Sequence, residues 1–180
     1  MQKLFAEPSE PATPWITRVL PRIASLVERK AEQTIFTRFI PAARVGQGTG
    51  TWKRYHERWA SMTMEAVGPE MVELLPPLPA FTPLAKIIDK HIYSPWPEGR
   101  LQSELAGRRI DTLVTTGAKP MSAFSRPFLA RSISGMVVLV TDALCSSSDA
   151  THDALMTVYH QRFAQQVETA GMEAVLSAWN

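Results

Sequence analysis

The sequence predicts an α/β protein built on a mainly parallel sheet, and three observations predict it. Short β-branched or apolar runs alternate with segments of helical periodicity. Two of the runs, residues 110–116 and 136–141, are nearly continuously apolar, as strands covered on both faces must be. The helical segments between runs suit right-handed crossovers joining parallel strands.

Each element can be justified in order. Residues 14–30 place Val19, Leu20, Ile23, Leu26 and Val27 on one stripe, with Pro14 near the first turn and Pro21 as an expected kink. A strand is expected at 34–40. Residues 41–83 are less regular: Gly46, Gly48 and Gly50 precede Trp52, Tyr55 and Trp59, whose spacing suggests a short helix with an aromatic face. This stretch reads as a lid packed on the domain, with a pocket wall as the alternative. A second strand is expected at 86–89. Leu101, Leu105 and Ala106 mark a helix at 98–109. Two further helices are marked by Leu155, Met156, Tyr159 and Phe163 within 152–166, and by Met172, Val175, Leu176 and Trp179 within 171–179. Residues 148–153 supply N-cap and acidic first-turn residues for the first of these.

Composition narrows the function. The chain has 180 residues, 45% hydrophobic and 20% charged, with net charge +2, which suits one domain with a sizeable core. No basic stripe marks nucleic acid as a partner. A single Cys rules out an internal disulfide framework and a multi-Cys zinc site. No apolar run approaches the roughly 20 residues of a membrane span, and the start lacks the apolar core of a signal peptide. A soluble, cytoplasmic protein is expected. Ligands of open α/β sheets sit beyond the carboxyl ends of the strands, which points to residues 89–91, 115–117 and 141–143.

Five segments go further: IFTRFIPA (35–42), GTWKRYHERW (50–59), IIDKHIYSPW (87–96), DTLVTTG (111–117) and LVTDALCSSSDATHDALMTVYHQRF (139–163). In this order they resemble the isochorismatase-like cysteine hydrolases, the superfamily of isochorismatases, nicotinamidases and carbamoyl-sarcosine amidases. The resemblance spans nearly the whole chain, read as one domain over 1–180 that is incomplete at its N-terminus. It implies a three-layer α/β/α sandwich around a six-stranded parallel sheet. It also implies a Cys thiolate that attacks a carbonyl, an oxyanion held by helix N-terminal amides, an Asp base and a Lys that supports the charges. No cofactor or metal is implied. The implied partner is a small-molecule substrate, with neither nucleic acid nor membrane, and a homo-oligomer is compatible with it.

Residue by residue, the resemblance is uneven. Lys90 matches the catalytic Lys, and Arg38, Trp52 and Tyr93 are candidate substrate-binding residues. The Asp should close a first strand immediately before a Met-Gln pair, but this chain opens with Met1-Gln2. That strand is central in the superfamily, so its loss is expected to leave a gap in the sheet. The nucleophile position is occupied by Ala123. Around it, Pro120 and Pro127 and the cations Lys119, Arg126 and Arg131 occupy an expected apolar helix, where an interior Pro costs roughly 3 kcal/mol. Codons permitted for Ala118 to Ile133, read one base earlier, can spell Gly-Glu-Thr-Asp-Val-Cys-Val-Leu-Ala-Thr-Val-Leu-Gly-Ala-Val-Asp. This predicts a local frameshift, restored before Val137, together with a late start.

Other residues are weaker candidates. Cys145 is the only thiol, near a helix start, but the family nucleophile belongs one strand earlier, so a structural role is expected. His56, His91, His152 and His160 show no metal-ligand spacing and are expected to be exposed or capping. The expected function is cysteine-dependent hydrolysis of a small amide, ester or vinyl ether, inactive in this chain. The alternatives are a non-catalytic pseudoenzyme acting as a binding or oligomer subunit, and an unstable gene remnant.

Overall fold

The computed structural model describes residues 1–6, 11–118 and 136–179. Helix α1 is Ile16–Arg29, followed by strand β1 (Ile35–Phe39), helix α2 (Thr51–Arg58) and the single turn α3 (Met64–Val67). Then come β2 (Lys86–Lys90), α4 (Arg100–Gly107), β3 (Thr112–Ala118), β4 (Met136–Cys145), α5 (Asp149–Arg162), β5 (Val167–Ala170) and α6 (Met172–Ala178). All strand pairs are parallel, as the alternation of runs and helices requires.

The strands form two sheets. β1 pairs with β2 in one; β3, β4 and β5 form the other in that order. Helices cover both faces of this broken layer. The stripe of α1 (Ile16, Val19, Ile23, Leu26 and Val27) is buried against Phe36 of β1 and Val138 and Val140 of β4, with Val175 of α6 in the same cluster. Each such side chain contributes roughly 1.5–3 kcal/mol by leaving water. On the other face, Leu101 and Leu105 of α4 pack with Ile35, Ile88 and Leu113, while Leu155 and Tyr159 of α5 pack with Val137 and Leu139. Neighbouring residues thus go to opposite faces, Ile35 and Phe36 on β1 and Val138 and Leu139 on β4, as the period of two demands. α5 is capped as its sequence suggests: Ser148 Oγ accepts from Thr151 N at 3.2 Å.

Between β1 and β3 runs a slot, where the sequence reading expects a gap in the sheet. Three features differ from that reading. β3, beside the slot, is half-buried along most of its length, not covered as its apolar run requires. β4 continues past Thr141 to Cys145 by a register shift opposite Thr115 and Gly117, so Asp142 is not at a strand end. Instead its carboxylate accepts from Met172 N at 2.8 Å and pairs with Arg22. β5 is a strand that periodicity does not reveal. Ala123, with the rest of residues 119–135, lies outside the described residues.

Candidate functional site

The site is built at the carboxyl mouth of the slot. A cavity of about 910 Å³ runs between the two sheets and reaches Lys90, Tyr55, Tyr93, Gln2 and Gly117. Lys90 ends β2, and its Nζ donates to Tyr93 O at 2.6 Å. Burial pushes its pKa down to about 8, because an ammonium loses solvation among apolar walls. No carboxylate among the described residues forms an ion pair with it.

An aromatic wall stands beside the lysine. The rings of Tyr55 and Tyr93 meet edge to face at 5.4 Å, and Trp52 lies 4.8 Å from Tyr55 and 5.0 Å from Tyr93. Burial, then the hydrogen bond to the Tyr93 side chain, pushes the Tyr55 phenol above its ordinary range, so it remains a neutral polar group. The predicted short helix does carry an aromatic face. Its Tyr55 reaches the cavity, while Trp52 supports the two tyrosines from behind and does not line it. His56, expected to be exposed or capping, is buried and bonds loop backbone: its Nδ1 donates to Gln47 O at 3.2 Å and its Nε2 accepts from Ala42 N at 3.3 Å. The imidazole thereby ties the 42–47 loop to α2.

Arg38 does not line the cavity. It sits directly opposite Asp89 across the β1–β2 pair and holds that carboxylate with two bonds, 2.7 and 3.0 Å, while a third reaches Glu73 at 2.9 Å. Three charge-assisted bonds absorb most of the fork of the guanidinium. Its pKa is raised by the Asp89 hydrogen bond, against the effect of burial. Arg38 thus fixes the end of β2 from which Lys90 projects.

Sequence reasoning gave Gln2 no role. Its Nε2 donates to Phe39 O and Val72 O, both at 2.8 Å, and its Oε1 accepts from Phe39 N at 2.8 Å. The side-chain amide pairs with the outer edge of β1 as the backbone of a neighbouring strand would. Met1 lies over Gly117, whose φ of 110° suits only glycine where β3 shifts register. Cys145 is fully buried at the end of β4, with Sγ 4.0 Å from Gly117 O, and it does not line the cavity. His91 accompanies Glu98 on the surface, and His152 lies against Trp15. Among the described residues no group of three His, Cys, Asp or Glu side chains gathers as a metal site, and no helix is long and apolar enough to cross a membrane.

Parallel strands, helices on both faces and a lysine at the carboxyl edge define an open-sheet α/β protein with its candidate site where such sheets bind ligands. The isochorismatase domain model matches residues 1–171, and the chain belongs to that family of hydrolases. Solved structures agree on the fold. A cysteine hydrolase from Pseudomonas syringae pv. phaseolicola 1448A superposes with a TM-score of 0.75 at 22% identity, over 98% of this chain and 87% of that one. An N-carbamoylsarcosine amidase from Thermoplasma acidophilum gives 0.71 at 15% identity, over 96% and 92%. A nicotinamidase from Bacillus subtilis gives 0.70 at 17% identity, over 93% and 94%. No protein of curated function matches the sequence.

Proposed function

We propose that this chain is an isochorismatase-like hydrolase domain that holds a small carbonyl compound at the mouth of the cavity but does not turn it over by the cysteine route. The compound class is a small amide, ester or vinyl ether. Lys90 offers its carbonyl or carboxylate a donor, and Tyr55 and Tyr93 offer a flat apolar wall with a polar rim. One observation carries the reading: the only thiol of the chain, Cys145, is buried behind Gly117, outside the cavity that Lys90 lines. A nucleophile must come within about 3–3.5 Å of the carbon it attacks, and Cys145 has no such access.

The test uses a panel of small amides, esters and vinyl ethers. Binding is followed by ligand NMR, turnover by product release, and covalent adducts by intact mass. Binding that weakens in Lys90→Met, without turnover or adduct, is expected. Turnover that disappears in Cys145→Ala would overturn the reading. We also propose that Ala123 stands where a frame error has displaced a Cys. Resequencing the encoding DNA across codons 118–133 decides this: an intact single frame there removes it.

A further inference from the structure

We propose that His56 is an acid-sensitive latch: its neutral imidazole closes the 42–47 loop onto α2, and protonation releases the loop and loosens the helix that carries Tyr55 to the cavity mouth. The latch stands apart from any hydrolytic activity, and its test reads backbone protection and not turnover.

The two backbone partners dictate the form of the ring. Ala42 N has only a proton to give, so Nε2, 3.3 Å away, must present a lone pair. Gln47 O has only lone pairs, so Nδ1, 3.2 Å away, must carry the proton. One form satisfies both, the neutral Nδ1–H tautomer. A second proton on Nε2 sets one N–H against another, and it leaves a cation on a side chain that is 3% exposed. The groups around the ring do not compensate it. Tyr55 and Trp52 of α2 touch it, with centroids 5.2 and 6.1 Å away, and both are uncharged. The charged side chains of the surrounding elements are Arg44 on the loop, Lys53, Arg54, Glu57 and Arg58 on α2, and Glu65 on α3, all of them exposed. Among the described residues, the ring's hydrogen-bond partners are the two backbone groups alone. His56 does lie in the last turn of α2, where the helix dipole favours a cation. That eases the charge but gives an Nε2 proton no acceptor.

Release has a defined path. Ala42 O and Ala43 O accept from Met64 N and Glu65 N at 3.0 and 2.9 Å, so the loop stays anchored to α3 when its bonds to His56 break. Between the loop and α2 the chain passes Gly48 and Gly50 at φ of 112° and 57°, a joint that turns without side-chain hindrance. Tyr55 is the next residue to His56 and meets Tyr93 at 5.4 Å, so movement of α2 parts the aromatic wall. The closed latch binds one proton fewer than the open one, so falling pH favours opening. An imidazole in water titrates near 6.5; between pH 7.5 and 5.5 the balance between closed and open loop therefore moves about tenfold toward open.

Amide hydrogen exchange of the intact protein, followed by NMR at pH 7.5 and 5.5, tests this, with each rate divided by that of the unfolded chain at the same pH. The Ala42 amide should lose about tenfold in protection, while Leu139 and Val140 in the core of β4 keep theirs. Nitrogen-15 spectra of the His56 ring should show the Nδ1–H tautomer at pH 7.5 and a second proton arriving as Ala42 protection falls. His56→Gln offers a carbonyl to Ala42 and an amide N–H to Gln47 without a titrating group, and should hold Ala42 equally protected at both pH values. A doubly protonated ring with Ala42 still protected overturns the proposal. So does the same acid loss of protection in His56→Gln, or a loss in β4 that accompanies the loss at Ala42. If the Gln variant does not fold, the ring spectra and Ala42 protection of the unmodified chain decide alone.

Discussion

Lys90→Met should stabilise this protein at neutral pH, and the size of the gain follows from the site. The lysine titrates near 8, not 10.5, because burial removes solvation from its ammonium. At about 1.4 kcal/mol per pH unit, keeping it charged in the folded state costs roughly 3 kcal/mol. Met fills similar space without charge but loses the bond to Tyr93 O, about 1 kcal/mol. The variant should therefore be about 2 kcal/mol more stable at pH 7, a large fraction of an ordinary 5–15 kcal/mol total.

The sign of the pH dependence separates this from simple repacking. Below pH 8 both folded and unfolded wild type hold the proton, and the cost is present in full. Between about 8 and 10.5 the folded state has released a proton that the unfolded state keeps, so wild-type stability rises with pH. Above that window the cost is gone and only the lost hydrogen bond separates the two proteins. The variant's advantage should shrink through the window and reverse at its top. Urea titrations of both proteins at steps from pH 7 to 11 measure the difference, in which groups that Lys90 does not influence cancel; the Met1 amine, which burial chiefly lowers to about 6, is coupled to Lys90 but titrates below this range. A difference independent of pH would refute the burial argument.

Two further substitutions test the frame around the site. Gln2→Ala removes three buried hydrogen bonds that hold the β1 edge to the 72–75 segment, and should lower stability by about 2–4 kcal/mol in urea titration. Arg38→Leu leaves the half-buried Asp89 carboxylate without its two-bond partner; a loss of about 1–3 kcal/mol is expected, and Arg38→Lys should recover only part of it, since an ammonium cannot reproduce the fork.

Legibility in the sequence followed local physics. α1, α4, α5 and α6 were readable because each sets apolar residues at helical spacing, and β1 to β4 because their runs are β-branched. β5, Val-Glu-Thr-Ala, is four residues with one buried side chain, too short for a period. The apolar run of β3 promised burial that the slot beside it does not supply. Tyr55 and Tyr93 were both in view, but only the fold sets residues 38 positions apart edge to face at 5.4 Å. The role of Gln2 was illegible for the same reason: a polar side chain that substitutes for strand backbone leaves no pattern behind it.

The half-buried β3 and the lysine whose pKa burial lowers flank one slot, and the family resemblance suggests two changes that would act on both together. A strand ending in Asp, joined before Met1, would be expected to pair in the slot and bring a carboxylate toward Lys90; an opposite charge within about 4–6 Å raises a lysine pKa. Replacing residues 118–133 by the shifted-frame sequence would supply a Cys, expected at a helix N-terminus where the dipole favours thiolate. Either change alone leaves one essential group missing. The doubly repaired protein should carry a thiol that iodoacetamide alkylates well below the ordinary thiol pKa of about 8.5, whereas the strand alone offers only Cys145, shielded in the core. The segment alone supplies a thiol without its acid neighbour and with the sheet still open. Alkylation rate against pH for the three proteins tests this directly. An unreactive thiol in a double repair that is folded by circular dichroism would show that the family site has been placed wrongly on this chain.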